Sequence, residues 1–97
     1  TKNGYQVIRD YGGHSIGKEM HEKPFIPHVY HKEDDEKILE EGAVICLEPM
    51  ITPGTGRTKV AKEDGWTVFT SDRQICMMFE HMILVTKEGS QVLTKHI

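Results

Sequence analysis

Two glutamates and one histidine stand where ionisable side chains are costly, and together they indicate a metal site. Glu48 directly follows the apolar run 43–47, and Glu80 lies inside the largely apolar stretch 75–86. An ionised carboxylate among apolar neighbours is unfavourable unless it is paired or binds a metal. His14 lies between glycines, where a backbone can approach a ligand closely. Carboxylates with an imidazole and no thiolate pair favour divalent Mn, Fe, Co or Zn.

A simpler interpretation remains open for each glutamate. Either one can pair with an arginine or lysine, or point outward at a sheet edge. A zincin motif is excluded, because His21-Glu22 requires a second histidine where Phe25 stands. Pro24 also forbids the helix on which that motif depends.

The remaining histidines and the cysteines have no predicted ligand role. We expect solvated side chains for His28 and His31, a supporting or core position for His81, and a place in the tail for His96. Cys46 and Cys76 fall in apolar runs far apart, so we expect two buried thiols that behave as small hydrophobes. Neither a disulfide framework nor a zinc ribbon is predicted.

The sequence around these residues predicts antiparallel β-strands and little helix. Strand candidates are 5–8, 43–47, 66–70, 75–86 and 91–94. Alternation along 75–86 places Glu80 in mid-strand with apolar neighbours on its own face. Asp64-Gly65 and Glu88-Gly89 are turn signals. Pro24 and Pro27 predict an extended loop, and residues 32–42 predict one or two helical turns that stop at Gly42.

Length and charge restrict the classes of function. A chain of 97 residues is one domain or part of one, and its core should be thin. Lysines and arginines number 12 against 15 aspartates and glutamates, for a net charge of -3. The basic residues are scattered, so a nucleic-acid partner is not expected. No apolar run predicts a membrane span and no signal-peptide pattern is present, so a cytoplasmic location is expected.

Five motifs, in order, resemble the type I (bacterial-type) methionine aminopeptidases. They are Gly13-His14-Ser15-Ile16-Gly17, His21-Glu22-Lys23-Pro24, Leu47-Glu48-Pro49-Met50, Asp64-Gly65-Trp66-Thr67-Val68 and Phe79-Glu80-His81. The resemblance covers almost the whole chain. It implies an α+β pita-bread (creatinase/aminopeptidase-like) fold, with residues 1–97 as the mainly antiparallel C-terminal half of the catalytic domain.

The resemblance also implies a reaction: metal-dependent removal of N-terminal methionine from peptides and nascent proteins. In the complete enzyme two divalent ions (Mn, Co, Fe or Zn) would be bound, with His14 and Glu48 on one ion and Glu80 bridging both. Glu48 would also transfer a proton. His21 would hydrogen-bond the substrate's peptide group.

The same resemblance places two residues at the pocket for the methionine side chain. Trp66 would help to wall that pocket, although plain strand packing is an equally good interpretation of a tryptophan here. Met20 precedes His21 where the family usually has an aromatic residue. That difference would alter the pocket.

The family's N-terminal half supplies two aspartate ligands and a catalytic histidine that are not found in residues 1–97. We therefore expect a partial metal site or none in this chain, little activity of the chain alone, and a fold that is weakly stable or self-associates. Two alternatives stay open. One is a proline dipeptidase-like hydrolase, which Phe79-Glu80-His81 disfavours. The other is a catalytically inactive pita-bread half that acts as a binding module.

Overall fold

The computed structural model describes residues 2–95, and this part of the chain is almost entirely antiparallel β structure. Ten strands form three sheets. The strands are β1 (Gln6–Val7), β2 (Gly13–Ser15), β3 (Glu22–Ile26), β4 (Val44–Leu47), β5 (Met50–Thr52), β6 (Thr58–Val60), β7 (Val68–Thr70), β8 (Met77–Met78), β9 (His81–Thr86) and β10 (Gly89–Val92). The predicted β architecture is confirmed. His96, expected in the tail, lies outside the described residues.

The central sheet has five strands in the order β10-β9-β4-β2-β3. Its middle strands are rich in β-branched and aliphatic residues, which suit a pleated surface that packs against neighbours. Ile45 of β4 lies opposite Ile83 of β9, and these side chains are 3% and 9% exposed. Ile8 and Cys46 are the other apolar residues that are buried in the described part of the chain. The core is therefore thin, as the short chain predicts.

The segment around Pro24 differs from the prediction. It was expected to be a loop, but residues Glu22–Ile26 form β3, at the edge of the central sheet. An edge strand tolerates proline because the missing N–H can face away from the neighbouring strand. The helical prediction for 32–42 is reduced to a single 3-10 turn, Lys32–Asp34. Gly42 has φ of +87°, a conformation that favours glycine and stops a helix.

The apolar stretch 75–86 is not one continuous strand, so the prediction that Glu80 lies in mid-strand is wrong. β8 pairs with β5 in the three-stranded sheet β1-β5-β8, whereas β9 pairs with β4 in the central sheet. The chain changes sheets at Phe79 and Glu80. Glu80 therefore lies at the junction of two sheets, immediately before β9.

The third sheet is the hairpin of β6 and β7, and its turn is built around Asp64. The Asp64 carboxylate accepts hydrogen bonds from the Thr67 hydroxyl and from the backbone N–H groups of Trp66 and Thr67. These bonds, the hydroxyl first, lower the pKa of Asp64 to about 2. Gly65 follows with φ of +64°. The predicted turn is confirmed, but the strand begins at Val68 and leaves Trp66 in the turn.

Across residues 2–95, the structure contains no helix with the length and apolar character needed to cross a bilayer.

Candidate metal centre

The register of the central sheet brings the chemically important residues to one place. β2 and β4 pair His14 with Cys46, so these two side chains lie on the same face. β4 and β9 pair Leu47 with His81. Glu48 is the residue after Leu47 and Glu80 the residue before His81, so both carboxylates emerge at the same end of these adjacent strands.

The donor atoms of these residues converge. Nε2 of His14 lies 3.2 Å from Oε2 of Glu48. One donor atom each from His14, Cys46 and Glu80 lie within 4.8 Å of one another. Within residues 2–95, no lysine or arginine forms a salt bridge with Glu48 or Glu80. The interpretation of these glutamates as partners of basic side chains therefore finds no support in the described chain.

The tautomer of His14 bears on whether this cluster fits a metal. Nδ1 of His14 lies 3.0 Å from the carbonyl oxygen of Ser15. A carbonyl can only accept a hydrogen bond, so Nδ1 carries the proton. Nε2 then faces the Glu48 carboxylate, where the two atoms can bind one cation between them. The donor set of imidazole and carboxylates therefore fits a divalent cation.

His21 lies beside the cluster without adding a donor to it. Its ring contacts the His14 ring edge to face, with centroids 4.4 Å apart and an interplanar angle of 62°. The structure thus brings His14, His21, Glu48 and Glu80 into one region, although they come from four different segments of the chain. The His21 side chain is exposed beside the donors.

The two residues predicted to border a methionine pocket are not enclosed by the described residues. Met20 is 69% exposed and Trp66 is 82% exposed. Their assignment as pocket residues stays a prediction.

The cysteines have different environments. Cys46 is buried as expected, but Cys76 is exposed, so the prediction of two buried thiols is wrong for Cys76. Cys76 falls just before the short strand β8, outside the central sheet. Cys46 lies within β4, where its strand neighbours cover it.

His28 is the residue whose position was not foreseen. It was expected to be solvated, but its Nε2 accepts a hydrogen bond from the backbone N–H of Glu48 at 3.2 Å. Its Nδ1 is buried and has no partner among the described residues. Burial lowers the pKa of His28 below the usual 6.5, an effect opposed by the charge of Glu48. No local pattern reveals this contact, because the two residues are 20 positions apart.

Replacing His28 with alanine is expected to destabilise the fold and loosen Glu48. Loss of the acceptor leaves a partly buried N–H unpaired, which costs about 1–3 kcal/mol. Because the folded-state pKa of His28 is lowered, its neutral form favours folding above pH 6.5, and that contribution is lost as the pH falls below this value. Urea unfolding at pH 7.5 and pH 5.5 measures both effects. His31→Ala, at an exposed position, is the control and should change stability by less than about 0.5 kcal/mol.

Known proteins with similar sequences also point to a metal-dependent peptidase. The sequence profile of metallopeptidase family M24 matches residues 1–87. The methionine aminopeptidase of Mycoplasma capricolum is 50% identical over 91 residues, which are 94% of this chain and 36% of that protein. That of Rickettsia prowazekii is 44% identical over 93 residues, 96% of this chain and 36% of that protein. The chain spans about a third of the length of these relatives.

Two solved structures share the architecture. The crystal structure of methionine aminopeptidase from Rickettsia prowazekii matches with a TM-score of 0.89 and 44% identity, over 97% of this chain and 38% of that one. The methionine aminopeptidase from Thermotoga maritima matches with a TM-score of 0.87 and 45% identity, over 98% of this chain and 37% of that one. The predicted pita-bread architecture is confirmed by these matches.

Proposed function

This chain belongs to metallopeptidase family M24, and on that premise we propose that it is part of a methionine aminopeptidase. The reaction would be hydrolysis of the peptide bond after an N-terminal methionine, in peptides and nascent proteins. The observation that carries the proposal is the position of the His14 ring, with Nε2 3.2 Å from Glu48 and a donor atom within 4.8 Å of the Glu80 carboxylate. Sequence identity of 44–50% to methionine aminopeptidases supports peptides with an N-terminal methionine as the substrate. A cytoplasmic location goes with this function and stays a prediction.

We propose that His14, Glu48 and Glu80 are ligands of a centre for two divalent ions, drawn from Mn, Co, Fe and Zn. The remaining ligands would come from residues of the protein outside these 97, which would make this chain the C-terminal half of the catalytic domain. Bound metal supplies Lewis-acid activation of the scissile carbonyl and of the attacking water.

The side chains around the centre have separate tasks in this proposal. The Ser15 carbonyl fixes the His14 ring with Nε2 free to bind the ion. Glu48 holds and moves a proton during hydrolysis. His21, beside His14, donates a hydrogen bond to the carbonyl oxygen as negative charge develops there. Met20 and Trp66 would contact the methionine side chain.

Several apolar side chains near the site are exposed, as expected if other residues of the protein pack against them. Phe79 is 70% exposed, Ile75 is 73% exposed and Met77 is 57% exposed, all on or beside β8. Exposed apolar patches mark interaction surfaces. We propose that residues outside this chain cover them, and the prediction that the chain alone self-associates rests on the same surface.

A chimeric enzyme tests the proposed function. Residues 1–95 would replace the matching part of the Rickettsia prowazekii methionine aminopeptidase, to which this chain is 44% identical. We expect the chimera to release methionine from Met-Ala-Ser with Mn²⁺ or Co²⁺, and the 97-residue chain alone to release none. Glu48→Gln should lower kcat/KM at least about 100-fold, since even residues that only support a ligand contribute 10–100-fold. Glu63→Gln, at an exposed position, is the control.

The other outcomes of this assay separate the alternatives. Cleavage of Ala-Pro in place of Met-Ala-Ser would identify a proline dipeptidase-like hydrolase. A folded chimera that cleaves neither peptide would favour an inactive binding module. Full activity of the Glu48→Gln chimera would contradict the assignment of Glu48.

A further inference from the structure

Cys46 is a buried thiol that lies among the proposed metal ligands. Its side chain is 2% exposed, and its strand register places it directly opposite His14. Its sulfur, a donor atom of His14 and a carboxylate oxygen of Glu80 lie within 4.8 Å of one another. The Cys46 side chain therefore faces an imidazole and a carboxylate.

We propose that Cys46 is itself a metal ligand, and that His14, Cys46 and Glu80 form a site for one thiophilic divalent ion, Zn²⁺ or Cd²⁺. The inference deepens the proposed function, on which it rests for the ligand roles of His14 and Glu80. It adds a sulfur donor to a centre otherwise built from nitrogen and oxygen. Because thiolates select zinc over manganese-like ions, the sulfur would change which metal the site prefers.

The charge balance at the thiol favours this role only when a cation is present. The carboxylate of Glu80 lies beside the thiol, and the imidazole of His14 lies on the paired strand opposite it. A divalent ion reverses this local field, and a coordinating thiol is deprotonated outright. As the sulfur–metal bond forms, the S–H bond breaks and its proton passes to the solvent. No oxidant or reductant is involved.

The set of three donors also has the composition of a zinc site. Zinc is bound by cysteine, histidine and carboxylate ligands, and His14, Cys46 and Glu80 provide one of each. His14 meets the further requirement that the second ring nitrogen be held by a hydrogen bond, here to the Ser15 carbonyl.

Zinc X-ray absorption on the unmodified chain, loaded with one equivalent of Zn²⁺, tests the proposal without any substitution. We expect one sulfur at about 2.3 Å and nitrogen or oxygen neighbours at about 2.0–2.2 Å. A zinc shell of nitrogen and oxygen alone would overturn the role of Cys46 while leaving the proposed metal centre standing. Failure to bind zinc at all would overturn the three-donor site. The proposed function would stand or fall separately on the chimera assay, so the two failures are distinguishable.

Cadmium titration with matched variants identifies which cysteine is responsible. The ultraviolet sulfur-to-cadmium band should saturate at one equivalent in the wild type and in Cys76→Ser, whose target residue is exposed. Cys46→Ser should lose the band and bind Cd²⁺ at least about 100-fold more weakly, with Mn²⁺ affinity changed less than about threefold. A band that survives in Cys46→Ser would overturn the proposal. If Cys46→Ser does not fold, by circular dichroism, the zinc measurement on the wild type decides.

Discussion

Replacing Glu80 with glutamine is expected to remove the stabilisation that divalent metal gives this chain, without lowering the stability of the metal-free fold. Glu80 and Glu48 lie close enough to Cys46 that both carboxylates raise the pKa of its thiol. No lysine or arginine among residues 2–95 forms a salt bridge with either carboxylate. Without metal the cluster holds negative charge that the neutral amide relieves. With metal the same charge supplies binding energy.

The size of the effect follows from mass action. A ligand at 100 times its dissociation constant stabilises the folded state by about 2.7 kcal/mol, and at a concentration equal to that constant by about 0.4 kcal/mol. If the loss of one metal-binding side chain weakens metal binding about 100-fold, the stabilisation of the folded state by metal falls by about 2.3 kcal/mol. For a chain of this length that difference corresponds to about 10–20 °C in Tm.

Thermal unfolding with and without Mn²⁺ or Co²⁺ provides the measurement. Wild type and Glu63→Gln, an exposed glutamate in the β6–β7 turn, should show the full metal-dependent rise in Tm. Glu80→Gln should show little or none. An equal rise in Glu80→Gln would remove Glu80 from the site. A large fall in its metal-free Tm would mean that Glu80 acts mainly in folding.

Replacing Gly13 with alanine is expected to disrupt the central sheet at the proposed site. A Cβ at Gly13 would lie less than 3.0 Å from the carbonyl oxygen of Cys46, a backbone atom that cannot turn away. Overpacking of this kind costs typically 1–3 kcal/mol, occasionally more, and here the strand pairing of β2 with β4 must also shift. We expect about 3 kcal/mol of destabilisation and at least 10-fold weaker metal binding, because His14 is the next residue along β2.

Gly17→Ala is the matched control for that change. Its Cβ would meet the Glu22 carboxylate at 2.6 Å, but that group is the end of a flexible side chain and can move. The control should therefore lose less than about 1 kcal/mol. Urea unfolding compares the two variants. Similar losses of unfolding free energy in both variants would show that glycine at these positions matters for chain flexibility. A clash with the Cys46 carbonyl would then not explain the effect of Gly13→Ala.

Local patterns in the sequence account for much of the fold. Asp64-Gly65 predicted the turn of the β6–β7 hairpin because both residues are suited to that conformation, and the structure places Gly65 at φ of +64°. The aliphatic run ending at Leu47 predicted β4 within one residue of its observed start. These features depend on neighbours in the chain, so they can be recognised from the residues alone.

The features that were missed depend on contacts across the fold. Alternation treated 75–86 as one strand, because periodicity carries no information about the change of sheet at Glu80. The sequence predicts a solvated His28, because its partner Glu48 is 20 residues away. Cys46 was correctly predicted to be buried, but burial gave no indication of His14 beside it. That contact is set by the register of β2 and β4.

An electron paramagnetic resonance titration with Mn²⁺ measures whether His14, Glu48 and Glu80 bind a divalent metal ion. Free Mn²⁺ gives the signal, and bound Mn²⁺ is lost from it. For the wild-type chain, we predict a signal lower than that of the total added Mn²⁺ by one bound ion per chain. For His14→Ala, the signal should equal that of the total added Mn²⁺. A signal that rises in full from the first addition, or an equal shortfall in His14→Ala, would contradict the claim.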